Sequence, residues 1–180
     1  MPFSFTPGPL KGLVIIEPRR FPDGRGWFQE GYKRFDFVQA GISETFVQDN
    51  ISRSSKGTLR GLHFQQGAYA QGKLVSVLAG AVWDVAVDLR PDSPTKGQWF
   101  GVELTADQPR LFYIPPGFAH GFVALQDETL FTYKCTAEYH KPSEGGIVWN
   151  DPTLAIKWPL TDVQVSDKDG VLPTWKEFWS

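Results

Sequence analysis

The chain alternates short apolar runs with turn residues along most of its length. Glycine and proline, at 18 and 14 residues, fall mainly between these runs, as tight turns require. Strands this short and this closely spaced predict a β-sandwich or barrel. The runs that predict strands are Leu13–Glu17, Glu44–Ile51, Leu59–Gln65, Lys73–Leu78, Ala81–Leu89, Gln98–Leu104, Arg110–Ile114, Gly121–Ala124 and Thr129–Ala137.

A single helix is predicted over Tyr32–Ala40, where Phe35 and Val38 share a face and Gly41 can end it. From Trp158 onward the chain is irregular and polar, which predicts a segment that wraps over the barrel. No repeat, low-complexity tract or internal linker interrupts the pattern. At 180 residues we therefore expect one domain spanning residues 1–180.

Composition narrows the class of protein. The net charge of −2 gives no basic field for nucleic acid, and Cys135 is the only cysteine, so a reducing cytoplasm is expected. The first residues lack the basic start and apolar run of a signal peptide. No apolar stretch approaches the roughly 18–20 residues of a membrane span. We expect a cytoplasmic protein with no nucleic-acid or membrane partner.

One predicted strand carries both a histidine and an arginine. The chain has only three histidines, and His63 follows Arg60 in L-R-G-L-H-F-Q. A proton-abstracting base beside an anion clamp and a core histidine with satisfied hydrogen bonds are both open interpretations. Strict alternation places Arg60 on the face opposite His63. Either Gly61 marks a bulge or Arg60 reaches the rim of the barrel.

Period-2 alternation collects polar side chains on single strand faces. For Asp88 the simplest expectation is a solvent-facing position. Lys73 and Asp84 are flanked by apolar sequence that predicts burial, and a buried charge is costly unless it is paired. These two residues are therefore predicted to belong to a site. The groups that share faces are Asp84 with Asp88, Gln48 with Asn50, and Phe131 with Tyr133 and Cys135.

The segment I-P-P-G-F-A-H-G-F (114–122) contains the pattern P-x-G-x-x-H, formed by Pro115, Gly117 and His120. This spacing resembles the second motif of the cupin superfamily, which implies an all-β double-stranded β-helix, or jelly roll, with a site in the barrel mouth. In many cupins His120 would bind a metal. The first cupin motif, H-x-H, is absent here, so a metal triad would need His63, His120 and a carboxylate such as Asp84. His140 is most simply a surface residue.

Motifs along nearly the whole chain resemble, in order, those of the dTDP-4-dehydrorhamnose 3,5-epimerases. They are F-P-D-G-R-G-W-F-Q-E (21–30), F-V-Q-D-N-I-S-R-S-S-K-G-T-L-R-G-L-H-F-Q (46–65), Q-G-K-L-V (71–75), D-V-A-V-D-L-R (84–90), P-P-G-F-A-H-G-F (115–122), T-Y-K-C (132–135), W-N-D-P (149–152) and S-D-K-D (166–169). The resemblance implies a homodimer that acts without cofactor or metal on a dTDP-4-keto-6-deoxyhexose. The reaction would pass through enolates at C3 and C5.

The resemblance also implies roles for individual residues. His63 would be the base, paired with Asp169, since a carboxylate fixes the tautomer of an imidazole and stabilises its charged form. Lys73 would stabilise the enolate oxygen, and Tyr133 would donate a proton to the opposite face. Arg60 and Arg25 would bind the diphosphate and Tyr139 would stack on thymine. Further substrate-binding positions are Glu30, Gln48, Asn50, His120, Glu144 and Lys168.

In the family the Arg25–Glu30 segment comes from the neighbouring subunit, so a strand-exchanged dimer is implied. One departure is Gly170, which follows Asp169 where the family often has arginine. Three other functions stay open: a relative that epimerises only one carbon or moves the ketone, a metal-dependent cupin enzyme, and a sugar-nucleotide-binding module without activity. For Glu30, Glu144 and Lys168, solvated surface charge is the alternative.

Overall fold

A computed structural model describes residues 2–180. The helices are short: α1 (Arg34–Gln39), α2 (Asp167–Gly170) and α3 (Trp175–Phe178). Two 3-10 turns, Gly67–Tyr69 and Lys141–Ser143, and the strands make up the rest of the regular structure. The strands are β1 (Phe3–Pro7), β2 (Val14–Pro18), β3 (Arg20–Asp23), β4 (Gly26–Gln29), β5 (Gln48–Ser54), β6 (Leu59–Gln65), β7 (Lys73–Ala79), β8 (Ala81–Asp88), β9 (Trp99–Thr105), β10 (Leu111–Ile114), β11 (Phe118–Ala124), β12 (Thr129–Cys135) and β13 (Glu144–Gly146).

Two antiparallel sheets form the barrel. One has the order β1-β2-β10-β7-β12-β5, and the other has the order β13-β6-β11-β8-β9. The non-consecutive neighbours are the crossovers of a jelly roll, so the all-β jelly-roll prediction is confirmed. Strands β3 and β4 form a separate two-stranded hairpin. Among residues 2–180, no helix is both long and apolar enough to cross a membrane.

Alternation along β8 divides the core into two layers. Val82 and Ala86 point into the barrel, where they pack with Phe112, Phe118 and Phe131. Residues of the other parity point outward and are covered by the segment after β13, whose apolar side chains close a second cluster. The final segment therefore wraps over the barrel as predicted. The outward and covering residues are Val85, Val87, Leu154, Ile156, Trp158, Trp175 and Phe178.

The structure corrects two predictions. In α1 the predicted apolar face is wrong, because Phe35 and Val38 are 67% and 39% exposed while Phe37 is fully buried against Phe3. The solvent-facing expectation for Asp88 is also wrong, because this residue is fully buried. Burial raises the pKa of Asp88, but hydrogen bonds from the loop after β8 outweigh it and hold the pKa well below its usual range. The donors are Arg90, Ser93 and Thr95.

Candidate active site

A cavity of about 610 Å³ opens between the two sheets. A second cavity of about 330 Å³ adjoins it and shares four lining residues: Asn50, His63, Lys73 and Tyr133. Together they form a continuous groove of the size that binds small molecules. Most of the predicted site residues line it. The first cavity also has Arg60, His120, Lys168 and Asp169 in its wall, and the second has Gln48, Tyr139 and Glu144.

A bulge in β6 places both the Arg60 and the His63 side chains in the wall of the groove. The pairing of β6 with β11 slips between His63 and Arg60, so these residues no longer follow simple alternation. Gly61 lies in the slip with φ +128, and a Cβ there would approach the Cα of Gly121 to 2.5 Å. Only glycine fits this backbone and this contact. The sequence left open whether Gly61 marks a bulge or Arg60 reaches the rim of the barrel, and the structure shows the bulge.

His63 is hydrogen bonded to Asp169, 106 positions later in the chain. The Nε2 atom of His63 lies 2.7 Å from Oδ1 of Asp169, and Oδ2 accepts a hydrogen bond of 3.1 Å from the backbone N–H of Gly61. Ser166 caps α2 by accepting from the N–H of Asp169 at 3.1 Å. Both oxygens of the 5%-exposed carboxylate are thus held, which fixes the orientation of the imidazole.

The environment of His63 favours its neutral form. Burial lowers the pKa of the ring below its ordinary value of 6.5, while the hydrogen bond and charge of Asp169 oppose that shift. The cation Lys73 lowers the pKa further. With Nε2 donating to the carboxylate, Nδ1 has the free lone pair. The arrangement can therefore accept a proton near neutral pH and stabilise the imidazolium that results.

Lys73 and Tyr133 lie on neighbouring strands, β7 and β12. The Nζ atom of Lys73 is 5.9 Å from the ring centroid of Tyr133. Burial lowers the pKa of Lys73, and nearby groups that include Asp84 oppose the shift. Burial raises the pKa of Tyr133, so its phenol stays protonated at neutral pH. The groove thus contains a cation suited to an oxyanion and a neutral proton donor.

A second histidine–carboxylate pair lies beside the first. His120 of β11 is the direct cross-strand partner of His63, and its Nε2 atom lies 2.8 Å from Oδ2 of Asp84 on β8. Asp84 is fully buried, and burial raises its pKa while the charges of His120 and Lys73 lower it. The sequence predicted that Asp84 belongs to a site but assigned it no role beyond a possible metal ligand. Within residues 2–180, no group of three or more His, Cys, Asp or Glu side chains has metal-binding geometry.

Hydrogen bonds connect the residues at the other end of the groove. Glu144 accepts from the hydroxyl of Tyr139 at 3.1 Å and from Nζ of Lys168 at 2.7 Å. Gln48 accepts from the N–H of Tyr139 at 2.8 Å and donates to Asn50 at 3.1 Å. This end presents amides, an aromatic ring and an ion pair. Such groups suit a polar, flat ligand such as a nucleoside.

Gln65 is a supporting residue that the sequence analysis missed. Its buried amide donates to the carbonyls of Tyr69 and Glu138 at 2.8 and 3.1 Å, and it accepts from the N–H of His140 at 2.7 Å. These bonds hold the loop that carries Tyr139. His140 is half-buried and stacks on Tyr69 with ring centroids 3.7 Å apart. The only signal was a polar residue at the end of an apolar strand, which alone is ambiguous.

Arg25 and Glu30 stand apart from the groove of their own chain. Arg25 lies in the turn between β3 and β4, where its 91%-exposed side chain pairs with Asp23 at 2.7 Å. Glu30 directly follows β4, and neither residue lines the two cavities. The hairpin also exposes Trp27 by 59% and Phe28 by 65%. Within one chain, these two predicted binding residues are not brought to the site.

Comparison with known proteins gives a consistent match. Residues 7–177 match the family model described as dTDP-4-dehydrorhamnose 3,5-epimerase. The dTDP-4-dehydrorhamnose 3,5-epimerase of Escherichia coli K12 is 51% identical over 170 residues, covering 93% of this chain and 92% of that protein.

Solved structures agree with the sequence match. The crystal structure of dTDP-4-dehydrorhamnose 3,5-epimerase from Elizabethkingia anophelis superposes with a TM-score of 0.93 at 49% identity, covering 98% of each chain. A Legionella pneumophila dTDP-6-deoxy-D-glucose-3,5-epimerase, solved in complex with dTDP-4-keto-L-rhamnose, gives a TM-score of 0.92 at 50% identity, covering 96% of this chain and 92% of the other. The chain described here belongs to the dTDP-4-dehydrorhamnose 3,5-epimerase family.

Proposed function

We propose that this protein epimerises C3 and C5 of dTDP-4-dehydro-6-deoxy-D-glucose and so forms dTDP-4-dehydro-L-rhamnose. Family membership supports the reaction and the substrate class. The observation that carries the proposal is the groove itself, which has the His63–Asp169 pair, Lys73 and Tyr133 in its wall. A base, a cation and a neutral proton donor around one cavity meet the needs of enolate chemistry.

Each inversion moves one proton off and another onto a carbon beside the 4-keto group. In the proposed mechanism His63 removes the proton, and the charge of Asp169 stabilises the imidazolium. Lys73 stabilises the enolate oxygen, which carries the charge released by the broken C–H bond. Tyr133 returns a proton to the opposite face. The substrate is neither oxidised nor reduced, so the proposal needs no redox cofactor.

The nucleotide would bind in the parts of the groove outside the catalytic residues. Arg60 would contact the diphosphate, for which a guanidinium offers paired donors. Tyr139 would stack on thymine, and its hydrogen bonds to Gln48 and Glu144 hold it ready. The other proposed contacts are Asn50, His120 and Lys168, which line the same groove.

We infer that the active form is a homodimer in which each groove receives Arg25 and Glu30 from the neighbouring subunit. Two features support this inference. Within residues 2–180, β3 and β4 form a two-stranded sheet of their own, which exposes Trp27 and Phe28. Exposed aromatic side chains on a hairpin are typical of an interface rather than of a free surface.

Exchange in heavy water tests the reaction directly. The protein is incubated with dTDP-4-dehydro-6-deoxy-D-glucose in D₂O, and deuterium at C3 and C5 is followed by NMR. Label and inversion at both carbons are expected. Label at one carbon only would identify a single-carbon epimerase, and no label at either carbon would exclude both enzymes.

Two variants separate the proposed base from the proposed acid. His63→Ala is expected to abolish exchange at both carbons, because no other group would remove the proton. Tyr133→Phe is expected to retain exchange on the His63 face while inversion falls, since the proton for the opposite face is lost. His140→Ala serves as the matched control, because His140 lines neither cavity and should keep both exchange and inversion.

A further inference from the structure

Two buried carboxylates on one strand face have very different surroundings. Asp84 and Asp88 of β8 are both fully buried. Asp88 is satisfied by Arg90 and by two hydroxyl groups, as expected of a structural acid. Asp84 has one hydrogen bond, to His120, and its Oδ1 atom has no hydrogen-bond partner within residues 2–180. A carboxylate held in this way destabilises a fold, so a structural role does not account for it.

His120 is fixed from two directions. Its ring lies over Phe131 with centroids 6.1 Å apart and planes at 15°, and Phe122 flanks it at 6.5 Å. Asp84 holds the Nε2 edge of the ring at 2.8 Å. An ionised carboxylate only accepts hydrogen bonds, so Nε2 carries the proton. The remaining nitrogen, Nδ1, makes no hydrogen bond within residues 2–180, and the ring lines the groove.

We propose that Asp84 is a positioning residue for the epimerisation: it fixes the Nε2–H tautomer of His120 and turns Nδ1 toward the sugar. This inference rests on the proposed function, in which the sugar lies between His63 and Tyr133. Asp84 itself does not line the groove, so it acts through His120. His120 and Asp84 thus form a second histidine–carboxylate pair, which orients the Nδ1 atom of His120 for a polar contact with the sugar.

Asp84→Asn tests the kinetic consequence, because it keeps the size of the side chain and removes its charge. We expect kcat to fall about tenfold or more. The Kd for dTDP should stay within about twofold, since dTDP lacks the sugar that His120 contacts. Asp88→Asn is the matched control on the same face of β8. It should lower Tm and leave kcat of the folded enzyme unchanged.

Imidazole NMR tests the hydrogen bond without any variant of Asp84. With only three histidines, 15N-labelled protein gives a simple spectrum, and His120→Gln identifies the His120 signals. The Nε2–H tautomer is expected for His120 in the wild-type protein. His120→Gln and the double variant with Asp84→Asn should lose kcat equally. Asp84 acts through the His120 ring, so its replacement has no further effect once that ring is absent.

Three results would overturn the inference: an Nδ1–H tautomer in the wild-type protein, Asp84→Asn with kcat within about threefold of wild type, or an equal loss of kcat in Asp88→Asn. The wild-type exchange experiment is independent of all three. If wild-type protein exchanges neither carbon, the proposed function fails. If it exchanges both while Asp84→Asn behaves as wild type, only the role of Asp84 fails.

Discussion

His63 can accept a proton only while its imidazole is neutral, and its surroundings control that state in two opposing ways. Burial lowers the pKa of the ring, and Asp169 raises it again. The balance leaves the pKa below 6.5, so activity should be lost as the pH falls through that lower value. Asp169 therefore does two things: it orients the ring and keeps it basic enough to act.

Asp169→Asn should separate these effects. The amide keeps the shape of the side chain but removes the charge that raises the pKa of His63. The acid limb of the pH–kcat/KM profile should therefore move to lower pH, while the maximal rate falls about 10²-fold or more because the base is weaker and less well oriented. Rates of C3 and C5 exchange across about pH 4–8 provide the measurement, a range that extends roughly 2.5 units below and 1.5 units above the ordinary histidine pKa.

Asp167→Asn is the control for that experiment, since Asp167 lies in the same short helix, whereas the hydrogen bond and ion pair of His63 are made with Asp169. An acid limb that stays fixed, or moves upward, in Asp169→Asn would contradict the assignment of the limb to His63.

Single residues also show where sequence reasoning reaches its limit. The burial of Lys73 and Asp84 followed from their apolar flanks, and both are buried. The pairing of His63 with Asp169 came only from family resemblance, because no local pattern joins residues 106 positions apart. For Asp88, alternation gave the face but not the partners. Those partners are in the following loop, which folds back over the strand.

At the scale of elements, the bulge in β6 is the feature that brings both Arg60 and His63 to the wall of the groove. Without it, Arg60 and His63 would point to opposite sides of the sheet. The sequence contained Gly61, which permits a bulge, but a glycine in a strand is equally compatible with a close backbone contact. Here both are present, as the positive φ and the approach of Gly121 show.

Gly61→Ala should therefore be damaging. A Cβ at this position would lie 2.8 Å from the carbonyl oxygen of His120, in addition to its contact with Gly121, and φ +128 is unfavourable for alanine. We expect the free energy of unfolding to fall by about 2 kcal/mol or more, with loss of exchange. Urea unfolding provides the measurement. Gly31→Ala, which has open space and no positive φ, should change stability by less than about 1 kcal/mol.

The elements that the sequence analysis missed are the shortest or the richest in proline and glycine. They are the strands β1, β3, β4 and β13, where a period of two has too few residues to show, and the four-residue helices α2 and α3. In α1, a helix of six residues presents no reliable periodicity. Its buried side chain, Phe37, is selected by tertiary contacts with Phe3 and Tyr32. The long apolar strands were predicted well because their runs of apolar residues are long enough to show which segments are buried.

At the scale of the whole molecule, the position of the β3–β4 hairpin leads to a test of the proposed dimer. A groove would take His63 from one subunit and Arg25 from the other. Mixing His63→Ala subunits with Arg25→Ala subunits should then restore activity, because each mixed dimer has one fully intact groove. Random exchange makes half of the dimers mixed, so about a quarter of wild-type activity is expected.

Each variant alone provides the baseline for that mixture. His63→Ala should be inactive, and Arg25→Ala should raise KM about tenfold or more through loss of a diphosphate contact. Mixtures that show only the mean of the two separate activities, after verified subunit exchange, would contradict a shared groove. A mixture of His63→Ala with Asp169→Asn should not recover, since both residues belong to the same subunit.

The contact between His63 and Asp169 has a consequence for biosynthesis of the protein. The proposed base, His63, is in β6, whereas Asp169 follows β13, after every strand of both sheets. Chains emerge from the ribosome N-terminus first, so a growing polypeptide can pair its strands before Asp169 has been made. The barrel can thus gather most of its substrate-binding groups while the base still lacks its partner. On the proposed mechanism, catalytic competence would wait for the C-terminal segment that carries Asp169 in α2.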